Sequence, residues 1–210
     1  MSTWAIVPVK RLREAKSSLS RVLAQEQRRE LVLCMLTDVL NALEQAPSVA
    51  GKAVVSPDDE VLAFTRSKGA DGVADHGLEL NEALKLGIRY ASAKGARSVL
   101  IVPADLPLLK GVDVENIIAM ASSPKDVVIA PSKANGTNAL FLRPPDIMSL
   151  RFGGESFPAH MVEARRAGIM PHIYRSATVA TDIDEVVDLL SVETLGPGTR
   201  TQNFLKLLHG

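Results

Sequence analysis

The sequence has one cysteine, one tryptophan, no excess of either charge and no long apolar run, and each shortage closes off a class of protein. A lone cysteine, Cys34, excludes an intrachain disulfide, and its place inside an apolar helical pattern reads as a buried structural thiol in a reducing cytoplasm. No apolar stretch reaches the roughly 18 residues of a membrane span. The N-terminus also lacks the apolar core of a signal peptide, so a soluble, cytoplasmic protein with no membrane partner is expected. Lys plus Arg number 24 and Asp plus Glu number 24, a balance that gives no support to nucleic acid as a partner. A few local cations can still hold a small anion. Four scattered histidines supply no transition-metal cluster. The patterns G-x-x-x-x-G-K-[ST], G-x-G-x-x-G and G-x-S-x-G are all missing. That removes the anchors of a P-loop kinase, a dinucleotide dehydrogenase and a hydrolase with a nucleophile elbow.

What is present reads as one α/β domain over residues 1–210, with 46% hydrophobic residues for its core and nothing that resembles a linker, repeat or low-complexity segment. The centre of the pattern is residues 99–102, VLIV, a strand buried on both faces. Asp105 follows where that strand ends, between Pro103 and Pro107, which restrict the loop that carries it. Ligands of open α/β sheets bind at the carboxyl ends of strands. Asp105 is therefore placed as a site residue.

The rest of the chain supplies further strands and anion sites around it. Residues 3–9 predict a first strand, and 10–20, KRLREAKSSLS, a loop with the cations Lys10, Arg11, Arg13 and Lys16 at the same edge. A long amphipathic helix is expected over 25–45, with Leu31, Val32, Met35, Leu36, Val39, Leu40 and Leu43 on its apolar face. A short strand at 53–56, a helix to about Gly69 and a weak strand at 73–75 follow. Asn81 stands in the first turn of a helix over 80–93, a position that caps or packs the helix start and also suits a nucleotide. After a helix over 111–123, strands are expected at 126–130 and 138–142, with a polar turn between them. There Thr137 and Asn138 bring a hydroxyl and an amide to the sheet edge. Gly153 and Gly154 let the backbone approach closely, and Ser156 begins a helix whose free N–H groups and positive dipole end suit phosphate or carboxylate. His160, one turn on, shares that side, though a lone histidine is more often structural. A short strand ends at Ile173 and Tyr174. Asp182 and Asp184 stand at period two, so both can face one cation, and one of Thr181 and Asp184 is expected to cap a helix over 185–190. A last apolar helix over 204–208 suits packing on the body or on a partner subunit.

Two separated carboxylates, Asp105 and Asp182, can share a magnesium ion, which prefers one or two carboxylates together with phosphate oxygens and water. Lysines in the first loop can neutralise a triphosphate at the same edge. The combination describes metal-assisted nucleotidyl transfer, in which the protein mainly positions substrates and stabilises charge. A transferase acting on a sugar phosphate or a pterin, or a silent nucleotide-binding module, has the same requirements.

The set Ile6-Val7-Pro8-Val9-Lys10, Ala15-Lys16-Ser17-Ser18-Leu19, Pro103-Ala104-Asp105-Leu106-Pro107, Gly136-Thr137-Asn138, Arg151-Phe152-Gly153 with Ser156, and Asp182-Ile183-Asp184 resembles the 2-phospho-L-lactate guanylyltransferase family, CofC, of coenzyme F-420 biosynthesis. The resemblance runs over almost the whole chain. It implies a Rossmann-like, three-layer nucleotidyltransferase fold of the GT-A type with a mixed, mostly parallel sheet. It also implies transfer of GMP from GTP to 2-phospho-L-lactate, giving lactyl-2-diphospho-5'-guanosine and pyrophosphate, or the same transfer to phosphoenolpyruvate or 3-phosphoglycerate. By resemblance, Asp105, Asp182 and Asp184 hold magnesium, Lys10 and Lys16 face the GTP phosphates, and Thr137, Gly153 and Ser156 hold the small acid. A cytoplasmic homodimer is a further expectation. The family's late motif often reads Asp-x-Asp-Thr-Pro. Glu185 and Val186 replace Thr-Pro here, which leaves the division of labour between Asp182 and Asp184 open.

Overall fold

A computed structural model describes residues 2–209. Strand β1 (Thr3–Pro8) runs into two short 3-10 turns, Leu12–Glu14 and Ser17–Leu19, and then helix α1 (Gln25–Glu44). Next come β2 (Val49–Ser56), α2 (Asp59–Ser67), β3 (Asp71–Ala74), α3 (Leu80–Ala93), β4 (Ser98–Ile101) and α4 (Gly111–Met120). The second half contains β5 (Asp126–Pro131), β6 (Thr137–Arg143), α5 (Ser156–Arg166), β7 (His172–Ile173), α6 (Val186–Leu195) and α7 (Arg200–His209).

The seven strands form one sheet in the order β3-β2-β1-β4-β6-β5-β7. β6 runs antiparallel to both its neighbours, while the other pairings are parallel. The sheet is thus mixed and mostly parallel. Its central strands are apolar on both faces because both faces are covered. Ala5, Val7, Val54, Leu100 and Phe141 pack with α1, α4 and the C-terminal helices, whereas Ile6, Val55, Val99, Ile101 and Leu140 pack with α3 and α5. Seven expected apolar positions of α1 are buried, and Cys34 lies among them with 8% of its surface exposed. Burial pushes its thiol up to about 11, as suits an inert structural cysteine.

β2 starts four residues before the expected strand, taking in Gly51 and Lys52, residue types depleted in strands. Gly51 has a specific reason to be there: a Cβ on it would meet the Trp4 ring at 2.4 Å. The missing side chain seats that ring. α3 lies close on the sheet for a similar reason, since a Cβ on Gly87 would sit 2.7 Å from Val55 Cγ2 and 2.8 Å from Ile6 Cγ2. The last two helices are longer than their apolar cores suggested. The buried Asp38 on α1 accepts hydrogen bonds from the N–H groups of Arg200 and Thr201 at 2.7 and 2.9 Å, which ties the start of α7 to the body.

Candidate functional site

The strand order reverses between β1 and β4: the chain leaves β1 for β2 and β3 on one side, and β4 opens the other side. A crevice at their carboxyl ends follows from that topology. The loop after β1 carries Lys10 and Lys16, and the loop after β4 carries Asp105. β6 is antiparallel, with Leu140 opposite Ile101, so its first residues, Thr137 and Asn138, arrive at the same edge.

Lys16 is the centre of this edge. Its ammonium lies 2.7 Å from Asp105 Oδ2 and 2.9 Å from Asp184 Oδ1, with only 10% of its side chain exposed. Its backbone is left-handed (φ 51°), an unfavourable state for a lysine that the surrounding loop must hold. Burial, the largest single influence on it, disfavours the charge, but Asp105 and Asp184 together outweigh burial and leave its pKa above the ordinary lysine value. The segment 181–184 is fastened to this centre by the Ile183 N–H, which donates to the Asp105 carbonyl at 3.1 Å, and by the Ser18 hydroxyl, which donates to the Asp184 carbonyl. Asp182 accepts from the Asn138 amide at 3.2 Å. Burial raises the Asp182 pKa, and the charges of Asp105 and Asp184 push it the same way.

Two carboxylates therefore meet one ammonium, and a third, Asp182, feels the charge of both, an excess of negative charge that suits a divalent cation. Among the described residues no three acidic, histidine or cysteine side chains are drawn together as a closed ligand set. The lysine stands between two of the acids instead. Lys16 was expected to face phosphate, and the structure gives it carboxylate partners. Lys10 is exposed at the mouth of the edge.

On the other side of β6, the Thr137 hydroxyl lies 2.9 Å from His160 Nδ1, and the Arg151 N–H donates to His160 Nε2 at 2.9 Å. Gly153 and Gly154 have φ of 114° and 45°, so the turn before α5 requires glycine or a close substitute there. Asn81, read either as packing the helix start or as a nucleotide contact, spends its amide on the backbone of Phe152, donating to the carbonyl at 3.0 Å and accepting from the N–H at 2.9 Å. It clamps the start of α3 to the 151–155 loop. The anion site at the start of α5 is also narrower than a free helix end. The Ser156 N–H donates to Gly154 and the Phe157 N–H to Asn135, while Pro158 has no N–H. The Ser156 hydroxyl lies near Gly136, where an added Cβ would be 3.9 Å from it. His160, expected on the Ser156 side of this helix and more often a structural residue, is fully buried there.

The family described as guanylyl transferase CofC like matches residues 3–209. A phosphoenolpyruvate guanylyltransferase of Rubrobacter xylanophilus is 43% identical over 93% of this chain and 96% of its own length. A 2-phospho-L-lactate guanylyltransferase of Methanothermobacter thermautotrophicus is 39% identical over 100% of this chain and 92% of its own length. Among solved structures, a nucleotidyl transferase from Methanothermobacter thermautotrophicus superposes with a TM-score of 0.70 at 15% identity, covering 99% of each chain. The architecture is thus that of a nucleotidyltransferase.

Proposed function

The chain belongs to the CofC-like guanylyl transferase family, and on that footing we propose that it transfers GMP from GTP to 2-phospho-L-lactate, giving lactyl-2-diphospho-5'-guanosine and pyrophosphate in coenzyme F-420 biosynthesis. The observation that carries the reading is the extent of the family match. Residues 3–209 take in Lys16, Asp105 and Asp184 on one side of β6 and Thr137 to Ser156 on the other.

The chemistry asks two anions to meet. An oxygen of the acid's phosphate attacks the α-phosphorus of GTP, the bond from that phosphorus to the bridging oxygen of the β-phosphate breaks, and pyrophosphate leaves with the electron pair. The protein's work is alignment and charge stabilisation. Lys10 and Lys16 supply positive charge on the triphosphate side. Thr137, Gly153 and Ser156 receive the acid, with Asn138 holding Asp182 in place between the two. Asp105, Asp182 and Asp184 would hold magnesium, which when bound neutralises the triphosphate and the leaving pyrophosphate.

A second reading, transfer to phosphoenolpyruvate, is favoured by the 43% identity to the relative named for that acid. The two acids differ by two hydrogens, a single against a double bond between the carbon that bears the phosphate and the terminal carbon. We extend either reading to a cytoplasmic homodimer, supported by the buried free thiol and by the exposed apolar side chains of Val187, Leu190 and Leu207 on α6 and α7. Light scattering on the purified protein reports its mass.

The deciding experiment incubates the protein with GTP, magnesium and each of 2-phospho-L-lactate, phosphoenolpyruvate and 3-phosphoglycerate, and measures pyrophosphate. Release with the first acid supports the proposal, and release with the second alone favours the other reading. GTP binding without release in any mixture refutes both and describes a silent binding module. Chelation of divalent ions stops the release if the acidic cluster works as proposed.

A further inference from the structure

We propose that His160 is a positioning residue that turns the proton of the Thr137 hydroxyl toward the acid substrate, so that Thr137 donates to the acid rather than accepting from it. The inference rests on the function proposed above. His160 is 0% exposed and lies on α5, one turn after Ser156. The Arg151 backbone N–H points at Nε2 from 2.9 Å. An amide N–H can only donate, so Nε2 must offer a lone pair.

Burial lowers the pKa of His160 to about 4, and the neighbouring Glu163 carboxylate pulls it back only in part, so the ring is neutral near pH 7. A neutral imidazole carries one proton, which here must sit on Nδ1. That nitrogen lies 2.9 Å from Thr137 Oγ1. The ring donates and the hydroxyl accepts. Among the described residues Thr137 Oγ1 has no other hydrogen-bond partner, and its own proton has to point elsewhere, at the edge where β6 begins.

The opposite tautomer would set two N–H groups against each other at Arg151 and would draw the threonine proton inward. The oxygens of a phosphorylated acid only accept at neutral pH, so an inward proton would leave lone pairs facing negative charge. The ring is held from two further directions. The Phe152 ring meets it edge-on, with centroids 4.7 Å apart at 69°, and the Phe152 backbone is clamped by Asn81. The tautomer is thus set by a backbone amide, and it sets the polarity of a substrate-facing hydroxyl two bonds away.

The test has a spectroscopic arm and a kinetic arm. Nitrogen NMR of the histidine-labelled protein at pH 7 should show the buried ring neutral with its proton on Nδ1. A proton on Nε2, or a charged ring, overturns the proposal. In pyrophosphate-release assays, Thr137→Val should raise KM for the acid about ten- to a hundredfold, the range for losing a hydrogen bond to a charged group, with KM for GTP within about twofold of wild type. Thr137→Ser should restore the wild-type value. His160→Phe should raise the acid KM in the same direction, and the double variant should be no worse than Thr137→Val alone. Multiplying effects, or equal changes in both KM values, would assign His160 a merely structural role. If His160→Phe does not fold, the threonine pair and the tautomer still decide. A wild type that uses no acid refutes the proposed function and takes this inference with it. A wild type that turns over while Thr137→Val is unaffected refutes this inference alone.

Discussion

Acid should weaken this protein through one buried ring before general acid denaturation sets in. His160 titrates at about 4 in the folded chain against an ordinary value of 6.5, because burial disfavours the imidazolium. The unfolded state therefore binds more protons across that interval, and stability falls as pH falls. The contribution is intact above pH 6.5 and declines as pH drops toward 4. The expected loss from this group is about 2 kcal/mol at pH 5 and about 3 kcal/mol at pH 4. Urea unfolding followed by the fluorescence of Trp4, the single tryptophan, measures it at pH 7.5 and pH 5 in wild type and in His160→Gln. The variant is less stable at pH 7.5, but the gap between the two proteins should narrow by about 2 kcal/mol at pH 5. Asp182 and Asp38 have raised pKa values, so on acidification they act with the opposite sign, and they are present in both proteins and cancel in the comparison. Parallel pH profiles for the two proteins would refute the assignment of a neutral, donor-pinned His160.

Three further outcomes are expected. Lys16→Met removes the ammonium shared by Asp105 and Asp184, and pyrophosphate release should fall about a hundred- to a thousandfold with the circular dichroism spectrum unchanged; a wild-type rate would show that Lys16 is only structural. Asn81→Leu frees the Phe152 backbone and should raise KM for the acid more than KM for GTP, whereas the reverse order would mean that Asn81 contacts the nucleotide directly. Gly87→Ala forces a methyl group against Val55 and Ile6 and should destabilise the fold by about 1–3 kcal/mol, read as a lower thermal midpoint.

Where a residue's role follows from burying a continuous apolar run, the sequence was readable. VLIV at 99–102 had to be a central strand, which placed Asp105 at a strand end, and the spacing of Leu31 to Leu43 had to be a helix on a sheet face. The pairing of Lys16 with Asp184 was not readable. These residues are 168 positions apart and meet because Ile183 is fastened to the Asp105 loop and the Asp184 carbonyl to Ser18. Asn81 stayed ambiguous for a related reason. An asparagine near a helix start looks alike whether its amide meets a base or a backbone 71 residues away. Gly51 lay outside the expected strand at 53–56, and its presence in β2 is matched to the Trp4 ring on the neighbouring strand.

The feature hardest to foresee is also the one that divides the site in two. Along β6, Ala139 and Phe141 face the α1 layer, and Leu140 and Leu142 face the α3 and α5 layer. Strict alternation would then send Asn138 toward α5 and Thr137 toward α1. The structure does the reverse: Thr137 meets His160 on α5, while Asn138 bonds the Val179 carbonyl and Asp182 on the other side. The reason is a bulge. Ala130 pairs with Ala139, but the next residue, Pro131, pairs with Thr137, so β6 carries one extra residue at Asn138. Pro131 has no N–H to give the ladder, which makes that rung a favourable place for the skip. The strand also runs antiparallel, so it is the start of β6, not its end, that reaches the crevice. Reversal brings Thr137 and Asn138 to the edge, and the bulge then turns them to opposite sides, the hydroxyl toward His160 and the amide toward the Asp182 carboxylate.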